Sequence, residues 1–149
     1  MHNLEELQVY HKALILTKTV RKIVRVFPKD ELFGLISQFK RAADSIVLNI
    51  AEGAGNSSNK EFIHFLDYSI RSSFECKGCL DIALENSFIN QTDYQMLLAD
   101  TNELIAMLYG LQKHLKQKLK RFSSHNLNFS QSNILEKSCV PKSLPVTGK

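Results

Sequence analysis

The chain has 149 residues, 44% of them hydrophobic, with a formal net charge of +4 at pH 7. That length suits one domain with a real core, and with no run of ~18 apolar residues and no basic-then-apolar leader in MHNLEELQVYHK, the sequence argues against a membrane span or secretory signal and predicts a cytoplasmic, soluble protein. Three cysteines, an odd number, argue for reduced thiols and against a disulfide framework.

The first helix is expected over residues 4–27, where Val9, Ala13, Leu16, Val20, Ile23 and Phe27 recur at alternating steps of four and three. Pro28 ends it, because the ring removes a donor and clashes with the preceding turn. Lys18, Lys22, Arg25 and Lys29 each follow a core residue by two positions, roughly 200° around the helix, so they form a stripe facing away from the core, which Arg21 broadens. No acid interrupts the sequence between Lys12 and Lys29. Two readings stand: cations favoured near a helix C-terminus, or a phosphate-binding face, since like charges stacked over about three turns repel one another. The charge must act through such clustering, because residues 1–121 are near neutral overall, with 16 Lys+Arg against 14 Asp+Glu.

A second helix is expected over residues 31–51, stopped by Gly53 with Gly55 just beyond. Leu35, Phe39, Ala42, Ile46 and Ile50 make its apolar seam, widened by Leu32, Ile36, Ala43 and Val47. On another face Gln38, Arg41, Ser45, Asn49 and Glu52 form a polar line. It reads as a hydrogen-bonded seam fixing register or a subunit contact, or else as a functional surface; no nucleophile there has a neighbouring base and an orienting group.

Ser58 and Glu61 spell a capping box that opens the third helix. Its face of Phe62, Phe65, Leu66, Ser69, Ser73, Cys76, Leu80 and Ala83 places small residues at mid-helix, where another helix can approach closely. Cys76 and Cys79 form C-x-x-C, but they sit mid-helix with no second ligand pair, so buried apolar thiols are expected rather than a redox or zinc site. Glu61 and His64 match the Glu-x-x-His of di-iron bundles, a motif needed twice; none of His2, His11, His114 and His125 follows a Glu by three. No metal and no cofactor are expected.

After a turn over residues 86–91, Thr92 and Gln95 suggest a second capping box. Tyr94, Leu97, Thr101, Leu104, Leu108, Leu111 and Leu115 then repeat at steps of three and four, the strictest seam in the chain. Lys113, Lys116, Lys118, Lys120 and Arg121 close the helix; Lys116 and Lys120 are secondary candidates for the cationic surface. Residues 122–149 are rich in Ser, Asn and Pro, lack a period and are expected to form a mobile tail. Their LPVTG, residues 144–148, matches a sortase signal without the hydrophobic retention segment that anchoring needs.

The expected architecture is therefore all-α: an antiparallel, up-and-down four-helix bundle over residues 1–121.

The block RAADSIVLNIAEG, with FPKDELFGLISQ upstream, resembles the bacterial four-helix-bundle family encoded by intervening sequences in large-subunit (23S) ribosomal RNA genes. A related branch serves as accessory protein to the reverse transcriptases of diversity-generating retroelements. The likeness covers about residues 4–120 and continues through Glu61, Phe65, Leu66, Ser72 and Glu75. It departs from the family's small-residue run at Ile70-Arg71-Ser72. The resemblance implies a ring-like homopentamer, and for some members nucleic acid and a reverse transcriptase as partners. The residues then support a non-enzymatic oligomeric bundle that binds RNA or DNA or acts as a scaffold. Its rival is a protein-interaction module without nucleic-acid affinity, docking a partner on the polar seam and the small-residue face of the third helix.

Overall fold

The computed structural model describes residues 2–137 of the chain, all of the regular structure being helical. Four helices carry it: α1 (Gln8–Ile23), α2 (Leu35–Gly55), α3 (Asn59–Glu85) and α4 (Gln91–Lys137). The chain divides into a unit Met1–Lys116, which holds the four-helix bundle, and a unit Gln117–Lys149, with the boundary inside α4. No strand occurs among the described residues.

The first helix is shorter than its periodicity suggests. Residues Leu4–Glu6 form a separate 3-10 turn capped by Asn3, whose side chain accepts from the Glu5 amide at 3.2 Å, and Leu7 is extended before α1 begins. His2 straps this end to the link between α2 and α3. Its amide donates to the Ala54 carbonyl at 2.9 Å, its Nε2 lies 2.9 Å from Asn59 Oδ1, and its ring packs on Phe62. At the far end the chain tightens into a 3-10 turn, Val24–Val26. Tightening from 3.6 to about 3.0 residues per turn rotates the following positions, so Val24 is buried while Ile23 is only half-buried, the reverse of what an uninterrupted helix predicts. Phe27 is extended before Pro28, as the proline ring requires.

A further 3-10 turn, Lys29–Leu32, precedes α2, and it leaves Leu32 51% exposed instead of extending the α2 seam. Glu31 turns back to accept the Leu35 amide at 3.1 Å, satisfying one donor at the start of α2. The buried α2 face is Leu35, Ile36, Phe39, Ala42, Ala43, Ile46, Ile50 and Ala54. Gly53 does not stop this helix, which runs on to Gly55; Gly53 is buried where α3 crosses.

Ser58 caps α3 by accepting from the Glu61 amide at 3.4 Å. Small buried residues let α3 pack closely on α2, and their hydroxyls find local acceptors: Ser69 donates to the Ile46 carbonyl at 3.2 Å and Ser73 to the Ser69 carbonyl at 2.9 Å. The α3–α4 turn places Ser87 at φ 58°, with the Phe88 amide donating back to Ala83 at 2.8 Å. α4 is capped two residues earlier than the Thr92–Gln95 box suggests. Asn90 accepts from the Asp93 amide at 2.8 Å while its own amide group donates to Asp93 Oδ2 at 2.9 Å. Leu97, Thr101, Leu104, Leu108 and Leu115 are the buried seam of α4, with Leu111 half-buried.

The periodic pattern predicts the last helix to end near Arg121, whereas α4 continues to Lys137. Cys139 and residues 144–148 lie outside the described residues.

Candidate nucleic-acid interface

The α1 stripe lines the wall of a groove between α1 and α2. The groove encloses about 700 Å³ and is bordered by Leu14, Thr17, Lys18, Arg21, Lys22, Arg25, Asp44, Val47 and Leu48. A smaller hollow of about 300 Å³ adjoins it at Arg25 and adds Lys29, Leu32 and Lys40. Lys18, Lys22, Arg25 and Lys29 are all exposed, and none forms an ion pair among the described residues.

Two neighbouring cations behave differently. Lys12 reaches α4, where Asp100 at 2.8 Å and Glu103 at 2.5 Å hold its ammonium, and hydrogen bonding first to Asp100 and then to Glu103 raises its pKa. Arg21, which the helical stripe includes, is clamped by Asp44 of α2 through two parallel bonds of 2.7 and 2.8 Å, and this hydrogen bonding raises its pKa. Arg21 therefore stands in the groove as one half of an ion pair, not as a free cation.

Of the secondary candidates, Lys116 does not line the groove. Lys116 donates to Gln112 at 2.9 Å, and Gln112 reaches across to Asp67 of α3 at 2.6 Å. Lys120 belongs to the other unit and is an exposed helical residue there. Lys40, Asp44, Val47 and Leu48 are groove residues that the cationic pattern of α1 does not reveal. Their own signal is the face of α2 between its apolar seam and its polar line, which becomes meaningful only once α1 is laid against it.

The polar line of α2 divides in two. Gln38 donates to Glu75, Ser45 lies 2.9 Å from Ser72 Oγ, and Asn49 donates to the Ser45 carbonyl at 2.8 Å, so these three meet α3 or each other along the α2–α3 crossing. Arg41 and Glu52 are exposed and take no part in those bonds.

Cys76 and Cys79 are free and buried in the core. Desolvation, followed by the charges of Cys79 and Glu75, pushes the Cys76 thiol far above its ordinary range; desolvation and then Glu75 push Cys79 up to about 11. Both are held as neutral thiols, which suits apolar packing and opposes nucleophilic or ligand chemistry. His64 is engaged by the Tyr68 hydroxyl at 3.0 Å. Among the described residues no three His, Cys, Asp or Glu side chains gather where a metal could sit, and no helix is long and apolar enough to cross a membrane.

A solved structure of a protein of unknown function from the S23 ribosomal protein family of Bacteroides thetaiotaomicron has this fold. It superposes with a TM-score of 0.66 at 22% sequence identity, over 70% of this chain and 98% of that one. No curated protein matches significantly. The sequence matches the family described as 23S rRNA-intervening sequence protein over residues 5–110, a span that takes in α1, α2, α3 and the α4 seam as far as Leu108 together with every residue of the cationic groove. The chain thus belongs to the 23S rRNA-intervening sequence protein family.

Proposed function

We propose that this protein is a non-enzymatic, oligomeric helical bundle that binds nucleic acid through the exposed face of α1 and works in the cytoplasm. The observation that carries the reading is a contrast among the cations of α1 and of the two 3-10 turns that follow it. Lys12 and Arg21 are neutralised by acids from α4 and α2, while Lys18, Lys22, Arg25 and Lys29 form no ion pair among the described residues. Holding like charges in register costs free energy, and a polyanion removes that cost. Within α1 the helical rise spaces Lys18 and Lys22 by ~6 Å, a pitch a flexible phosphate backbone can follow, and Arg25 and Lys29 continue the row on the two 3-10 turns after α1.

Assembly into a homopentamer, as the family resemblance implies, would repeat the stripe once per subunit and let modest contacts add through avidity. A reverse transcriptase is the partner implied by the retroelement branch. The rival reading, a protein-interaction module, loses one of its surfaces: Ser69, Ser73 and Cys76 of the small-residue face are fully buried in the protein's own core.

The test is a filter-binding titration of structured RNA and duplex DNA at two salt concentrations, with the wild type and the triple variant Lys18→Glu, Lys22→Glu, Arg25→Glu. The variant is expected to lose affinity for both, and the slope of log affinity against log salt should flatten by about 0.7–0.9 per phosphate contact removed. Unchanged affinity and slope in a variant of normal helicity would remove the α1 face. Absence of any wild-type binding at low salt would favour the protein-docking reading.

A further inference from the structure

Cations alone do not account for the groove they border. Its floor is aliphatic: Leu48 is 66% exposed and Leu14 39% exposed, with Val47 beside them. A duplex offers such a surface only phosphate and sugar, since its bases are stacked inside, and in RNA the major groove is too deep and narrow for side chains to enter. An aliphatic floor between phosphate-binding cations calls for the apolar part of a nucleotide, which is accessible in unpaired segments. The volume of about 700 Å³ falls within the range of clefts that enclose small organic groups.

The Arg21–Asp44 pair narrows the ligand further. An acid in a cationic groove weakens phosphate binding, yet Asp44 is held there by both its oxygens, at 2.7 and 2.8 Å from the guanidinium. Each oxygen keeps a lone pair after the bidentate bond. A fixed carboxylate is the acceptor that reads an exocyclic amino group at a base edge, and a locked guanidinium plane is a surface on which a base can stack.

Building on the nucleic-acid reading above, we propose that the α1–α2 groove receives an unpaired, amino-bearing base of single-stranded RNA. The base lies on Leu14, Val47 and Leu48, donates its amino group to Asp44, and is flanked by phosphates on Lys18, Lys22 and Arg25. Uracil, which presents no amino group, is the disfavoured base.

Fluorescence anisotropy of the full chain with labelled oligocytidine, oligouridine and an RNA duplex of equal length tests this. The wild type should prefer oligocytidine over oligouridine by about five- to tenfold, the lower end of what one good base contact gives, and bind the duplex more weakly than oligocytidine. Asp44→Ala should tighten binding to oligouridine and to the duplex by removing a negative charge, and should abolish the preference for oligocytidine by removing the acceptor of its amino group. Leu48→Ala should weaken oligocytidine about threefold or more while leaving the duplex unchanged. Both positions are partly exposed, and helicity measured alongside confirms folding. Equal binding of the two oligomers, unmoved by Asp44→Ala, would overturn the base-reading groove, as would duplex binding as tight as single-strand binding with a neutral Leu48→Ala; either result leaves the cationic stripe standing. Failure to bind any RNA, with capture of an acidic amphipathic peptide instead, would overturn the stripe and the groove together.

Discussion

Gly53 of α2 lies directly against Phe62 of α3: a β-carbon on Gly53 would stand 2.5 Å from Phe62 Cδ2 and 2.9 Å from the β-carbon of Phe65. Neither neighbour can yield easily, since Phe62 is fully buried and the Phe65 atom is fixed to the backbone. The absence of a side chain at Gly53 is therefore what sets the closeness of the α2–α3 crossing, and with it the bonds from Ser69 to Ile46 and from Ser45 to Ser72.

Gly53→Ala is expected to destabilise the bundle by about 1–3 kcal/mol, the usual cost of overpacking. The helix propensity gained, about 1 kcal/mol, offsets only part of it. Gly55→Ala is the control, because a β-carbon there meets nothing within 4 Å. Thermal denaturation checks the pair; equal melting temperatures for the two variants would show that α2 and α3 can part without loss.

Ser87 holds a left-handed conformation, φ 58°, in the turn after α3. An L side chain is strained there and glycine is not. Ser87→Gly should raise stability by about 0.5–1 kcal/mol, with a melting temperature higher by about 2–4 °C. A lower melting temperature would mean that the unfolded chain's added freedom outweighs the relief.

The core thiols make stability depend on alkaline pH. Burial raises both pKa values above the ordinary 9.0, so between about pH 9 and about pH 11, where Cys79 titrates in the folded chain, the unfolded chain releases protons that the folded chain keeps, and Cys76 holds its proton higher still. Folding stability should fall as pH rises through that window and be fully present below it. The double variant Cys76→Ala, Cys79→Ala should show a flatter pH dependence there, whatever its absolute stability. Native protein in a Cys139→Ser background should resist alkylation at pH 8 and react fully in denaturant; fast native alkylation would place the thiols at the surface.

Removing residues 122–149 is expected to leave the melting temperature within about 2 °C, a change under 1 kcal/mol. Among the described residues the last buried core residue of α4 is Leu115, inside the unit Met1–Lys116. A drop of several degrees would show that the removed segment packs on the bundle.

What the sequence determined by itself was whatever depends on one helix at a time. The step of three and four that runs through Val9, Ala13, Leu16 and Val20, or through Leu97, Thr101, Leu104 and Leu108, is enough to set an apolar face, because a residue's angular position follows from its place in the helix alone. The same arithmetic set Lys18 and Lys22 away from the apolar face of α1, whereas Arg25 and Lys29, expected on the same helix, fall on the 3-10 turns after it, and the block from Arg41 to Gly53 carried the family. Local competition already blurred this at the ends: Asn90 rather than Thr92 caps α4, and the 3-10 turn at Val24 exchanged the burial of Ile23 and Val24. Whatever depends on two helices waited for the tertiary structure. Asp44 gives no sign in sequence that it will clamp Arg21, Gly53 reads as a helix stop until Phe62 is seen against it, and Leu48 is one more apolar residue until α1 lies alongside to make it a groove floor. The reason is physical. Helical periodicity is fixed by bonds between residues four apart, whereas the register of one helix on another is chosen by the close packing of the whole core, which no local spacing encodes.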